Sequence, residues 1–515
     1  MRKIVVLVVL LCSLLLANIS WAAPSQIAVA IELDKLAVQL RGQSDYQVLD
    51  TNNTLIYESK GKQNAFLNIK EGALYINNEK LPNKVRLVPL ADNFIEINRR
   101  TYRGVFDVYK TKENTIDIIN TLPTEDYITS ALAKEIDLSF NEQVLKAQAV
   151  AMRSQAYFLL QVERDKPYDI IANDPVHGVV YLGKDAESPE ARKAVQETSG
   201  EVLFYNNRPA YGIWHVSSGG YTESGKGFFN IEMPYLQSVK DFDEKSRFYS
   251  WKQDFAPADL DTIFERAGYR LGKIQLLKLS KLPKERPSTN PPADRSPTGR
   301  LKEITIVGEQ GQVLMLSGQQ FADIVGLNSN LFDITIGVPL PKDIVATVKD
   351  AMGNEHELDR IQVNLGEREG YRLPGDDENT RRISRVNNDK IVFYGYGTGR
   401  QGFGMSQQGA QAMATKDLQA MTEALKAAQA KQKAADKARP KATKPETDKA
   451  AEKKVEQPTA PKQQTADKPE QQAAPTKDNK ANTATNKKEE VKLASDYYKK
   501  ILHYYFTSVT IEKVY

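Results

Sequence analysis

The chain has 515 residues, enough for more than one domain or for one large domain with insertions. Acids and bases nearly cancel, at a net charge of +4, so there is no broad positive field of the kind that draws nucleic acid. The single cysteine, Cys12, lies in an N-terminal apolar run, which leaves no disulfide and no cysteine-ligated zinc for the rest of the chain.

In chain order, Arg2 and Lys3 precede the apolar run Ile4–Leu16, and Ser20-Trp21-Ala22 offers small residues for cleavage, so residues 1–22 read as a signal peptide. The other reading, an uncleaved membrane anchor, fits less well because the run is short for a bilayer span. The expected location is therefore outside the cytoplasm, in the periplasm or the cell wall. Contact with a membrane is expected only if the leader stays on. From Gln26 to about Asn120, segments such as IAVAIEL, LAVQL, KVRLVPL and VFDVYK alternate in polarity between Asn, Asp and Gly punctuation. That is the signature of antiparallel strands joined by tight turns.

The stretch Leu122–Leu160 changes period and reads as two helices with a short break. Thr124 is the expected N-cap of the first, with Glu125 and Asp126 in the dipole-favoured first turn. Tyr127, Ile128, Ala131, Leu132 and Ile136 give it one apolar face. Ser139 and Glu142 have capping-box spacing for the second helix. Leu145, Ala149, Met152 and Ala156 form its packing stripe, and Lys146, Gln148 and Arg153 are its polar members. Glu135 falls in the last turn before the break, among apolar neighbours. Partial desolvation there raises a carboxyl pKa, which is what a general acid requires.

Further on, a short helix is expected near Ala191–Thr198, with strands at Glu201–Tyr205 and Ala210–His215. The motif HVSSGGYTES begins at His215, and Leu282–Pro297 reads as an exposed proline-rich loop. Leu301–Val307 and Val313–Leu316 read as a hairpin. Residues 337–390 are charged and turn-rich, an inserted hairpin or small subdomain. The glycine run Tyr394–Ala414 lacks the Gly-Lys-Ser/Thr ending of a phosphate loop. Residues 423–492 are too polar to bury a core and read as a disordered insertion, with some helix before Pro440. Order returns in the tyrosine-rich 493–515, which needs the main domain to cover it. The expected fold class is α+β. A strand-rich N-terminal part (23–120) and a mixed core around the two helices (121–336) are completed by the glycine-rich GMSQ motif (391–422) and the C-terminal element.

Nine pieces in order resemble the sporulation stage II protein D and amidase-enhancer (LytB-like) family of cell-wall proteins. They include YRGVFDVY from Tyr102, LPTEDYITSALAKEI from Leu122, LKAQAVAMRSQAY from Leu145, WHVSSGGYTES from Trp214, GMSQQGA from Gly404 and YYKKILHYYF from Tyr497. The resemblance implies a lytic transglycosylase acting on peptidoglycan glycan strands, with Glu135 as its catalytic glutamate. Hydrolytic glycosidases ordinarily use two carboxylates about 5–9 Å apart. A transglycosylase manages with one, because the 6-hydroxyl of muramic acid is a tethered nucleophile. Glu125 is ten residues from Glu135, about 15 Å along a helix, too far to be a partner. Asp137 points to a different face and reads as a loop or cap residue.

Candidate substrate-binding residues are Lys146, Gln148 and Arg153 on the second helix, His215, Ser217, Ser218, Gly219 and Gly220 in the serine–glycine loop, and Ser406 and Gln407 in the GMSQ turn. A solvated helix face is the plain alternative for Lys146. Some relatives place a zinc-binding cysteine in the loop where this chain has Ser218, so no metal and no cofactor is expected. The chain also has Arg400-Gln401 where the family usually carries a histidine. No elbow motif frames a Ser–His nucleophile. The expected partners are glycan strands and, on the second reading, a cell-wall amidase that a non-enzymatic enhancer would stimulate. A bare β-rich secreted scaffold leaves the ordered motifs unexplained.

Overall fold

The computed structural model describes residues 24–90, 94–162, 166–173, 179–225, 233–336, 338–339, 346–349, 355–358, 360–361, 379–383, 385, 390–399, 402–437 and 495–515. The expected leader with Cys12, Arg400 and Gln401, most of the 337–390 segment and the low-complexity residues 438–494 lie outside these. The fold is α+β, with the alternating N-terminal segments forming two antiparallel-rich sheets. In the seven-stranded sheet Gln26–Lys35 pairs with Ile116–Pro123, which pairs with Val105–Lys110. In the six-stranded sheet Ala37–Gly42 lies between Phe94–Ile97 and Asn64–Lys70. Several strands bury alternate residues, as at Val38 and Leu40 or Phe106 and Val108, so there the period of two in the sequence is the period of burial. Tyr46–Leu49, Glu79–Leu81 and Arg100–Arg103 are further strands with too short a pattern to stand out.

Strand Ile116–Pro123 runs directly into the first core helix, Thr124–Glu135. Thr124 is the first helical residue rather than the cap; Pro123 holds the cap position at φ −55° and ψ 135°, and no side chain caps the helix. The helix stops because Ile136 turns extended. Asp137 then accepts the Ser139 N–H at 2.9 Å, a turn that reverses the chain. The second core helix, Glu142–Val162, is capped by Asn141 and not by Ser139: the Asn141 Oδ1 accepts from Gln143 N–H at 2.9 Å. It is buried nearly all round, with Ala147, Ala149, Val150 and Ala151 inaccessible, so it is the interior post of the fold.

Of the expected strand Ala210–His215 only Trp214–His215 is strand, with the short Arg208–Pro209 before it, because the chain between them lies against the second core helix. A Cβ on Gly212 would stand 2.0 Å from the Ala151 carbonyl oxygen, so only glycine allows this approach. A separate apolar cluster of Leu260, Phe264, Ile306, Phe321, Phe332 and Phe393 is built on Ser250–Phe255, Ile391–Tyr396 and Phe332–Ile336 and on the hairpin Glu303–Gly308 with Val313–Ser317. The proline-rich connection is not exposed throughout. Arg295 and Ser296 are buried, with Arg295 donating to the carbonyls of Ser280 and Gly299.

The chain divides into two compact units, Met1–Ala414 with Tyr498–Tyr515, and Thr415–Tyr497. The helix that opens at Gln407 continues to Lys437, so residues 423–437 of the low-complexity stretch are helical. In the first unit the C-terminal strand Thr510–Lys513 pairs antiparallel with Glu201–Phe204, and the Tyr505 hydroxyl donates to Asp241 at 2.7 Å. In the second, the Tyr497 hydroxyl donates to Asp417 at 2.8 Å. Among the described residues no helix is long and apolar enough to cross a membrane.

Candidate active site around Glu135

Glu135 ends the first core helix with its side chain half-buried. Its Oε1 accepts the backbone N–H of Val180 at 2.8 Å, and its Oε2 accepts the indole N–H of Trp214 at 3.3 Å. Burial pushes the carboxyl pKa up, and the two hydrogen bonds pull it back only in part, so the net shift is upward. Among the described residues no lysine or arginine pairs with it.

Three separate segments bring these donors together. Val180 sits beside Tyr181, whose hydroxyl donates to Asn120 at 2.9 Å and whose ring packs on Tyr127 of the first core helix. Ser130 of the same helix donates to the Gly183 carbonyl at 2.7 Å, pinning the segment along it. Trp214 is held by the parallel pairing of Trp214–His215 with Met405–Ser406. Gly404 has φ +66° and lies so near Ile213 that a Cβ would meet its carbonyl oxygen at 2.1 Å, which no other residue could satisfy. Gln407 follows at the helix start and donates to the backbone carbonyl of Glu135 at 2.7 Å and to Gln148 Oε1 at 3.3 Å.

The expected site residues therefore separate. Gln407 bonds to the Glu135 backbone and Gln148 to Gln407, while Ser406 caps the helix that carries Gln407 by accepting from Gly409 N–H at 3.1 Å. Arg153, wholly buried, forms a two-pronged pair with Glu125 at 3.0 and 2.6 Å and also donates to the Glu201 carbonyl. Lys146 is not on a solvated face; it is buried and paired with Glu142 at 3.0 Å and Glu197 at 2.5 Å. His215 is buried, with Nδ1 2.9 Å from the Phe403 carbonyl, and burial and nearby Arg300 lower its pKa to about 4.

The serine–glycine loop is anchored by two buried aspartates that nothing in the local pattern marks. Asp243 accepts from Ser217 at 2.5 Å and from the N–H groups of Gly219 and Gly220 at 2.8 and 3.1 Å, while Ser218 donates to Asp241 at 2.5 Å. Val180 and Trp214 were also outside the expected set. Trp214 opens the quoted WHVSSGG motif, so adjacency was its signal; a backbone donor such as Val180 has none. With Glu125 tied to Arg153 and Asp137 exposed and held low by the Ser139 N–H, Glu135 is the carboxyl at the helix break that burial pushes up, as burial also does Asp243 in the serine–glycine loop. A hollow of about 560 Å³ is lined by Lys278, Pro292 and Glu303 and does not include Glu135.

The site thus lies in a strand-rich α+β domain, with a desolvated carboxyl at a helix break. Residues 112–205, which include both core helices, match the family model described as "Stage II sporulation protein". The chain is 29% identical over 166 residues to stage II sporulation protein D of Bacillus subtilis (strain 168), covering 30% of this chain and 48% of that protein. It is likewise 29% identical over 163 residues to stage II sporulation protein D of Bacillus amyloliquefaciens, covering 29% and 46%. An amidase enhancer of Bacillus subtilis (strain 168) is 30% identical over 135 residues, 26% of this chain and 18% of that protein. The match spans about half the length of the first of these curated relatives. Through this segment the chain is similar to the stage II sporulation protein D and amidase-enhancer proteins.

Proposed function

We propose that the chain is an exported lytic transglycosylase that cleaves MurNAc–GlcNAc bonds of peptidoglycan glycan strands. The observation that carries this reading is the Glu135 carboxyl, raised in pKa by burial and free of any cationic partner among the described residues. Protonated Glu135 gives its proton to the leaving glycosidic oxygen as the C1–O bond breaks. The muramic 6-hydroxyl then bonds to C1 and surrenders its proton to the Glu135 carboxylate, leaving a 1,6-anhydro ring and a regenerated acid. The Val180 and Trp214 donors hold the carboxylate during the interval in which it is charged. Incubating the purified protein with glycan strands releases anhydromuramyl products, and Glu135→Gln abolishes them; equal cleavage by the variant would falsify the assignment.

A second reading has the relative named amidase enhancer behind it. On that reading the same domain binds glycan without cutting it and raises the activity of a cell-wall amidase. Wall pull-down and amidase stimulation by both wild type and Glu135→Gln, with no anhydromuramyl product from either, select it.

A further inference from the structure

Arg286 lies in the proline-rich connection, a segment that the Glu135 chemistry does not use. Its guanidinium sits over the Tyr396 ring at 4.6 Å, and Tyr249 packs edge-on against the same ring at 5.6 Å. The side chain is half-buried, and burial lowers its pKa. Among the described residues it makes no hydrogen bond and no ion pair. The carboxylate that acts on it, Asp243, is already committed to Ser217 and to the N–H groups of Gly219 and Gly220. A half-desolvated guanidinium with open donors is costly unless an acceptor arrives, and its planar fork matches a carboxylate.

The neighbourhood connects to Glu135. A Cβ on Gly220 would stand 3.5 Å from the Tyr249 hydroxyl, and Trp214, six residues earlier on the same segment, touches Glu135. Six extended residues reach at most about 21 Å. We propose that Arg286, on its Tyr396–Tyr249 platform, is a binding site for a carboxylate of the glycan substrate. The inference rests on the reading of the chain as a peptidoglycan-binding protein. Two parts of the polymer offer this chemistry: the lactyl acid of muramic residues stripped of peptide, and the free carboxylates of a stem peptide where one is attached.

The test compares full-length wild type, Arg286→Gln and Arg286→Lys on peptide-free strands, on peptide-bearing strands, and on both after carboxyl groups are capped as amides. Arg286→Gln weakens binding about tenfold, the worth of one charge-assisted contact. Arg286→Lys restores only part of it, and capping removes the difference between the proteins. A loss confined to peptide-free strands assigns the lactyl acid, and one confined to peptide-bearing strands assigns the stem peptide. Unchanged binding of Arg286→Gln, or a loss that survives capping, overturns the site while leaving the reading of Glu135 intact. A wild type that binds no strand overturns both. Arg286→Gln is expected to melt close to the wild type, since among the described residues the guanidinium makes no hydrogen bond or ion pair and gives up only its contact with the Tyr396 ring.

Discussion

The side-chain amide of Gln407 donates a 2.7 Å hydrogen bond to the backbone carbonyl of Glu135, across 272 residues of sequence. This bond joins the GMSQ turn to the residue at the end of the first core helix. It satisfies a carbonyl that a helix terminus otherwise leaves open. It also makes the angle of the Glu135 backbone depend on a strand pairing elsewhere, that of Trp214–His215 with Met405–Ser406.

Replacing Gln407 with alanine should therefore act on position before it acts on folding. Loss of the bond costs about 1 kcal/mol of stability. The proposed cleavage of glycan strands should fall further, on the order of 100-fold, because small displacements of a group in a catalytic role are expensive. Urea unfolding and anhydromuramyl product assays on one preparation separate the two. An activity loss no larger than the stability change predicts would remove the positioning role.

The raised pKa of Glu135 predicts two pH effects of the same sign. In its proposed role as general acid it works while protonated, so turnover should fall as pH rises through its folded pKa. In stability, burial favours the protonated form in the folded state, so the wild type gains from this group at pH below the unfolded pKa. That gain is lost as pH rises through the raised folded value. The difference in unfolding free energy between wild type and Glu135→Gln should thus move against the wild type with rising pH. A difference that stays flat from pH 4 to 8 would mean the group is not desolvated.

The Glu125–Arg153 pair is structural, and it should behave as one. Arg153 is wholly buried and Glu125 only partly exposed, so Glu125→Gln leaves a buried guanidinium without its charge partner, at about 3 kcal/mol. Adding Arg153→Met should cost less than the sum of the single changes, which a double-mutant cycle measures. Additive costs would show that the two side chains do not work as a pair.

His215 carries a further pH signature. Its folded pKa of about 4 against an ordinary 6.5 means that the unfolded chain takes up a proton first as pH falls. Its contribution is complete above pH 6.5 and drains away towards pH 4, by about 3 kcal/mol at one pKa unit per 1.4 kcal/mol. Wild type should lose that much more stability than His215→Gln across this window in urea titrations. Parallel losses would mean that the imidazole is hydrated in the folded protein.

The sequence alone established the local features, because local structure is written in period and composition. Alternation marked the strands between Gln26 and Asn120, and the change to helical spacing marked the paired core helices. Their break put Glu135 at a helix end next to apolar neighbours before any contact was known. The caps were mistaken by one or two residues, since Pro123 and Asn141 occupy positions that Thr124 and Ser139 would also suit. Which polar residues meet was decided only by the tertiary structure. Arg153 and Lys146 are equivalent helical cations in sequence, yet packing gives one to Glu125 and the other to Glu142 and Glu197. Asp241, Asp243, Val180 and Gln407 reach their partners through strand pairings and close glycine approaches between distant segments. Periodicity records which face of an element is buried and carries no information about what lies across from it.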